Sequence, residues 1–188
     1  MNLPNKLTIA RMIMTPIFLI VLLMNFLPHR YLFACLVFII ASITDCIDGQ
    51  LARRNNQITT FGQFLDPIAD KILVISAILY FLKQGISDIW IPMLILTREF
   101  LVTSVRLLAS GSGKVIAASF WGKAKTVSQM IAIIIILILQ DLAEYAILPT
   151  SFPLTIICEG LLWISTIFTI ISGIQYLWNY REYINTTK

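Results

Sequence analysis

Asp45-Cys46-Ile47-Asp48-Gly49-Gln50-Leu51-Ala52-Arg53 is followed, eight residues later, by Gly62-Gln63-Phe64-Leu65-Asp66-Pro67-Ile68-Ala69-Asp70. Four aspartates thus sit in two pairs within an otherwise apolar part of the chain. A carboxylate in a membrane segment costs a few kcal/mol by insertion scales, so it marks a functional site by default. Two pairs at helical spacing cannot all stay ionised side by side without cations between them. The stretch reads as a metal site placed there for chemistry.

The surrounding composition says where that chemistry takes place. Of 188 residues, 58% are hydrophobic and 13% charged, with a mean hydropathy of +0.85, which excludes an ordinary soluble domain. A helical span needs about 20 apolar residues. Six such runs are legible, at 7–27, 31–52, 64–83, 89–110, 124–148 and 152–180. Helix is the expected form because a spanning segment has to satisfy its own backbone hydrogen bonds. Short connections at Pro28-His29-Arg30, Gln84-Gly85 and Pro149-Thr150 make consecutive helices antiparallel neighbours. The fold class is therefore all-α, a polytopic membrane protein with six transmembrane helices.

The first run lacks a small-residue cleavage site, so it reads as a span and not as a removable signal. Its polar start, Asn5-Lys6-Leu7-Thr8 between Pro4 and Pro16, reads as a short N-terminal interfacial helix leading into the membrane. No fixed-period repeat or low-complexity segment interrupts the chain, and Gly111-Ser112-Gly113-Lys114 is the one flexible link. A single membrane domain over 1–188 follows.

Positive charge orients it. With a cytoplasmic N-terminus, Lys6, Arg11, Arg53, Arg54, Lys71, Arg98, Arg106, Lys114, Lys123, Lys125, Arg181 and Lys188 lie on the cytoplasmic half, leaving only Arg30 and Lys83 outside. The expected location is the cytoplasmic membrane, with the site facing the cytoplasm. A net charge of +4 gathered on one face suits anionic headgroups or phosphorylated substrates. Part of it does no more than set topology. Nucleic acid is not an expected partner, since no basic run is interleaved with exposed aromatics. The three cysteines, Cys35, Cys46 and Cys158, lie in apolar runs without CxxC spacing and read as reduced, buried small hydrophobes. His29, the single histidine, falls on the turn away from the aspartates, which disfavours zinc of the His/Cys type.

At 3.6 residues per turn, Asp45, Asp48, Gly49 and Ala52 share roughly a 100° arc, and Gly62, Asp66 and Asp70 about 80°. Both arcs lie toward the cytoplasmic ends of their helices, joined by Arg54-Asn55-Asn56-Gln57. Oxygen-only ligands suit Mg²⁺ or Mn²⁺. A pair of such ions is a recurrent device for phosphoryl chemistry. Gly49, Ala52 and Gly62 are also ordinary small helix-packing positions. Interleaved with four aspartates and Arg53, they read as a pocket wall that a phosphorylated group can approach. Pro67 frees a carbonyl one turn back and permits a bend near the ligands.

The pattern Asp-x-x-Asp-Gly-x-x-Ala-Arg, eight residues, Gly-x-x-x-Asp-x-x-x-Asp resembles the signature of the CDP-alcohol phosphotransferase family at every fixed position. The resemblance implies a six-helix membrane enzyme, active as a homodimer, that displaces CMP from a CDP-linked lipid with an alcohol. It implies two divalent metal ions, Mg²⁺ or Mn²⁺, held by Asp45, Asp48, Asp66 and Asp70. Asp66 and Asp70 would be the catalytic carboxylates, with Asp70 the general base. Asp48, Gly49, Ala52, Arg53 and Gly62, with Asn5 and Thr8 of the N-terminal motif, would line the CDP-diacylglycerol pocket.

The flanks Leu3-Pro4-Asn5-Lys6-Leu7-Thr8-x-x-Arg11, Thr97-Arg98-Glu99 and Ala117-Ala118-Ser119-x-x-Gly122-Lys123-x-Lys125-Thr126 resemble the phosphatidylglycerophosphate-forming branch. That implies sn-glycerol 3-phosphate as acceptor, its phosphate met by Arg106, Lys114, Lys123 and Lys125. Within the family, phosphatidylserine, phosphatidylinositol-phosphate and cardiolipin synthesis share the aspartates and differ in acceptor. Outside it, a cation transporter would show internal symmetry or broken helices at the midplane. An isoprenoid-type transferase would lack the Gly/Ala/Arg interleaving. Arg98-Glu99, inside the fourth run, reads as a structural ion pair or pocket wall.

Overall fold

The computed structural model describes the backbone over residues 3–54, 60–111 and 120–181, with side chains at 8–44, 68–69, 71–108 and 120–181 within those ranges. Six helices account for nearly all of it: α1 Leu3–Leu23, α2 Arg30–Arg54, α3 Thr60–Lys83, α4 Trp90–Gly111, α5 Phe120–Glu144 and α6 Leu154–Asn179. No strand occurs among the described residues, so the all-α expectation holds.

Helix ends depart from the apolar runs where backbone geometry overrides composition. The first run continues to residue 27, but α1 stops at Leu23 and a turn carries Met24 to His29. Pro28 disfavours helix in the residue before it, and His29 takes a left-handed φ of 53°. Its carbonyl then accepts the N–H of Phe33 at 3.0 Å to open α2. The fifth run continues to 148, yet α5 ends at Glu144. Ala146 is left-handed at φ 53°. Its N–H donates to Ala143 O at 3.1 Å, and Ile147 N–H donates to Leu142 O at 3.0 Å, the paired bonds of a Schellman cap. The polar N-terminal turn forms no element of its own, because α1 runs unbroken from Leu3. Pro4 falls in its first turn, where a missing N–H costs nothing.

α5 and α6 are long and apolar enough to cross a membrane, while Thr8–Leu23 and Arg30–Thr44 are shorter apolar helical stretches. Large apolar side chains lie exposed along the helices: Ile13, Ile17 and Ile20 on α1, Leu36 and Ile40 on α2, Ile156, Ile164, Ile167, Ile171 and Ile174 on α6. An outward apolar face on that scale needs lipid against it. The protein is a membrane protein.

Contacts divide the chain into two compact units, Met1–Phe81 with Ile133–Leu154, and Leu82–Ala132 with Thr155–Lys188. In the first, α1 and α2 pack together. Phe18 and Phe38 meet with ring centroids 5.8 Å apart, and Leu22, Ala34, Cys35 and Ala41 are buried beside them. Tyr80 of α3 donates its hydroxyl to Leu22 O at 3.3 Å and meets Tyr31 edge-on. In the second unit, α6 buries Cys158, Leu162, Ser165, Thr166, Thr169, Ser172, Gly173 and Tyr176. These fall three or four residues apart, the spacing of one helix face. Small and hydroxylated residues there let helix backbones approach closely. Four of those hydroxyls bond carbonyls of their own helix: Ser165 and Thr166 to Leu162 O, Thr169 to Ser165 O, Ser172 to Thr169 O. Cys35 and Cys158 are free and buried, as expected for reduced apolar cysteines; Cys46 lies outside the described side chains.

Candidate functional site

α2 is continuous helix through Asp45, Asp48, Gly49, Ala52 and Arg53, and α3 through Gly62, Asp66 and Asp70. The backbone therefore keeps these positions in the register that the sequence arcs require. Pro67 sits inside α3, which runs from Thr60 to Lys83 without a break. The side chains of all eight residues lie outside the described ones, as does that of Asn5. The donor chemistry fits the implied metal: four carboxylates, oxygen only, at three- and four-residue spacing on consecutive helices match hard divalent ions. Among the described residues, no group of three or more His, Cys, Asp or Glu side chains comes together to offer a second site.

Two neighbours of that stretch are described. Thr8 and Arg11, one helical turn apart on α1, are both buried, at 2% exposure each. An arginine is almost never that buried unless paired, and Arg11 has interactions that hold it. Its carbonyl also accepts the Thr15 hydroxyl at 3.2 Å.

The basic residues implied for the acceptor separate into distinct environments. Arg106 on α4 and Lys123 on α5 are exposed. Lys114 lies outside the described residues. Lys125 is 7% exposed, and its Nζ donates to Glu99 Oε1 at 2.5 Å. The same oxygen accepts Arg98 Nη1 at 2.9 Å. Arg98 Nη2 in turn donates to Ser172 Oγ at 2.7 Å. One carboxylate oxygen thus ties together α4 and α5, and the guanidinium carries the tie to α6. Arg98-Glu99 is the ion pair that the sequence suggested, but with a third partner. One turn along α5, Gln129 Nε2 donates to Thr169 Oγ1 at 3.3 Å.

Gly173 completes the arrangement. A Cβ there would lie 2.9 Å from Arg98 Cγ, so the arginine stem crosses α6 where only a glycine admits it. Sequence reasoning missed the Lys125–Glu99 contact, Ser172 and Gln129. Their one signal is polarity inside apolar helices: Lys125 and Gln129 share one face of α5, and a buried polar group requires a partner.

A family model described as CDP-alcohol phosphatidyltransferase matches residues 1–171. A Bacillus subtilis protein named CDP-diacylglycerol–glycerol-3-phosphate 3-phosphatidyltransferase is 39% identical over 198 aligned positions, covering 100% of this chain and 99% of its own. Proteins of the same name from Rickettsia typhi and Haemophilus influenzae are 41% and 38% identical. They cover 93% and 94% of this chain, and 94% and 91% of their own lengths. The chain belongs to the CDP-alcohol phosphatidyltransferase family.

Proposed function

We propose that this family member transfers the phosphatidyl group of CDP-diacylglycerol to sn-glycerol 3-phosphate, giving phosphatidylglycerophosphate and CMP. One observation carries the reading: similarity to a relative named for that reaction extends over the full length of the chain. The helical continuity of α2 and α3 supports the chemistry, since it keeps the four aspartates in register.

In this reading Asp45, Asp48, Asp66 and Asp70 hold two divalent ions, Mg²⁺ or Mn²⁺. When bound, the ions would supply positive charge to the diphosphate oxygens. Asp70 accepts the proton of the acceptor's hydroxyl as that oxygen attacks the β-phosphorus, the one bearing diacylglycerol. The bond from this phosphorus to the bridging oxygen breaks, and CMP leaves with the electron pair. No lipid–enzyme intermediate forms, because the signature offers no Ser, His or Cys at a fixed position. Gly49, Ala52 and Gly62 leave room for the donor, Arg53 pairs with its phosphate, and Asn5 and Thr8 close the pocket from α1. Arg106, Lys114, Lys123 and Lys125 meet the acceptor's phosphate, with Lys125 held through Glu99.

All six helices span the cytoplasmic membrane in this reading, and the chain is one membrane domain. The N-terminus and the site face the cytoplasm, which the distribution of Lys and Arg supports, and the active form is a homodimer. The deciding experiment supplies purified protein with CDP-diacylglycerol, Mn²⁺ or Mg²⁺ and a panel of acceptors, and follows CMP release. Release with sn-glycerol 3-phosphate but not with serine, inositol phosphate or phosphatidylglycerol is the expected result. Preference for another acceptor would move the chain to another branch of the family.

A further inference from the structure

The buried face of α1 is apolar at one end only. Thr8, Arg11, Thr15, Phe18 and Leu22 are all buried and recur three or four residues apart, the spacing of one helix face. On α2, Ala34, Phe38 and Ala41 are buried at the same spacing, and Asp45 is the next position of that face. The ring contact of Phe18 with Phe38 sets the level of these two antiparallel helices. Seven residues further from the turn that joins them, Arg11 on α1 and Asp45 on α2 stand level, each about 10 Å from the phenylalanines. By the same count Thr8 stands level with Asp48. The polar end of the α1 face therefore runs alongside the first aspartate pair.

Arg11 is 2% exposed, and an arginine buried that deeply is ordinarily paired. Its own unit is Met1–Phe81 with Ile133–Leu154. The carboxylates among the described side chains of that unit are Asp141 and Glu144, held by His29 and Arg30 beyond the other end of α1. We infer that Arg11 is a positioning residue of the metal site: its guanidinium pairs with Asp45 from the neighbouring helix and orients that carboxylate toward the ions. The inference rests on the reading of the aspartates as metal ligands, and brings a residue of α1 to ligands carried by α2 and α3. A guanidinium presents its donors to a carboxylate in a rigid fork. A ligand oriented in this way by an outer partner holds its metal more tightly than one left to turn freely.

The test takes the full chain in detergent, strips it with EDTA and titrates it with Mn²⁺, reading free ion by electron paramagnetic resonance. Wild type, Arg11→Ala, Asp45→Ala and the double variant are compared, with thermal midpoints of the metal-free proteins and KM for CDP-diacylglycerol at saturating Mn²⁺. Losing the outer partner of a metal ligand typically costs about ten- to a hundredfold in affinity or activity. Arg11→Ala is therefore expected to weaken Mn²⁺ binding about tenfold or more, with the donor KM near wild type. In the metal-free proteins the double variant should melt no lower than the worse single variant, because both changes remove one contact. Unchanged or tighter Mn²⁺ binding in Arg11→Ala would overturn the inference, whatever happens to the midpoint, and so would additive losses of midpoint. A raised donor KM with wild-type Mn²⁺ binding would make Arg11 a contact of the donor's phosphates and overturn it too; in all these cases the aspartates keep their role. Wild-type Mn²⁺ binding in Asp45→Ala would remove the reading of Asp45 as a ligand, and the inference with it. If Arg11→Ala does not fold, Arg11→Lys decides: it keeps the charge but replaces the fork with a single ammonium. Its Mn²⁺ affinity is then expected to fall severalfold, and a wild-type value would overturn the inference.

Discussion

His29 Nδ1 stands 2.9 Å from Asp141 Oδ2, joining the turn after α1 to the last turn of α5 across 112 residues of sequence. Tyr145 reinforces the contact: its ring stacks on the imidazole at 4.0 Å, and its hydroxyl accepts the His29 backbone N–H at 2.9 Å. Arg30 Nη2 adds an ion pair to Glu144 Oε1 at 3.0 Å. The Asp141 side chain is only 3% exposed. Along α2 this latch lies roughly 22 Å from Asp45, at 1.5 Å per residue.

That distance separates stability from chemistry. His29→Ala strips Asp141 of a partner and leaves a buried carboxylate uncompensated, at a cost of about 1–3 kcal/mol. The variant is expected to unfold several degrees lower in detergent, measured by thermal scanning. Its kcat at a temperature where both proteins are folded should stay within about twofold of wild type, since a group remote from the reacting atoms changes stability and not the barrier. A large loss of kcat with an unchanged midpoint would contradict this assignment.

Activity is expected to need the carboxylates and a hard divalent ion together. Asp45→Ala, Asp48→Ala and Asp66→Ala should each abolish CMP release, and EDTA should do the same to wild type until Mn²⁺ or Mg²⁺ is restored. Full turnover in metal-free buffer would sink the assignment.

Asp70→Asn separates proton transfer from binding. It should lose most turnover, roughly a hundredfold or more, while binding of CDP-diacylglycerol with metal largely survives. Asp66→Ala should lose both. Near-wild-type turnover in Asp70→Asn would remove Asp70 as the base, and an equal loss of donor binding in both variants would make it simply another ligand.

Acceptor choice depends on paired cations. Arg106→Ala and Lys123→Ala, both at exposed positions, should raise the KM for sn-glycerol 3-phosphate with little change for CDP-diacylglycerol. Glycerol and serine should be poor acceptors, because cations built to meet a phosphate would go unpaired. Equal use of serine and sn-glycerol 3-phosphate would overturn the phosphatidylglycerophosphate reading.

The sequence carries what is periodic and local, and much of this protein is both. Six apolar runs became six helices, with four of the six placed within a few residues at either end. The exceptions follow from single backbone angles at His29 and Ala146, which no apolar count encodes. Burial of Cys35 and Cys158 was legible because each stands within an apolar run, that of Cys158 broken only by polar residues such as Glu159. The contacts of Lys125 were not. In sequence it reads as one of four cations for the acceptor, with Arg106, Lys114 and Lys123, and nothing in that reading points to Glu99 on another helix. Likewise, nothing near His29 in sequence points to Asp141. Cross-helix pairing at separations of 26 and 112 residues has no local signature.

The buried hydroxyls of α6 have one more consequence. Because Ser165 and Thr166 spend their protons on carbonyls of their own helix, that face is smooth to its neighbours and holds no particular height or rotation. Two cross-helix pegs supply what the smooth face lacks: Gln129 on Thr169, and Arg98 on Ser172. They sit three residues apart, less than one helical turn. Directed bonds thus fix the middle of the last helix, and beyond them it is held by apolar packing, with Tyr176 buried together with Val102 and Val105.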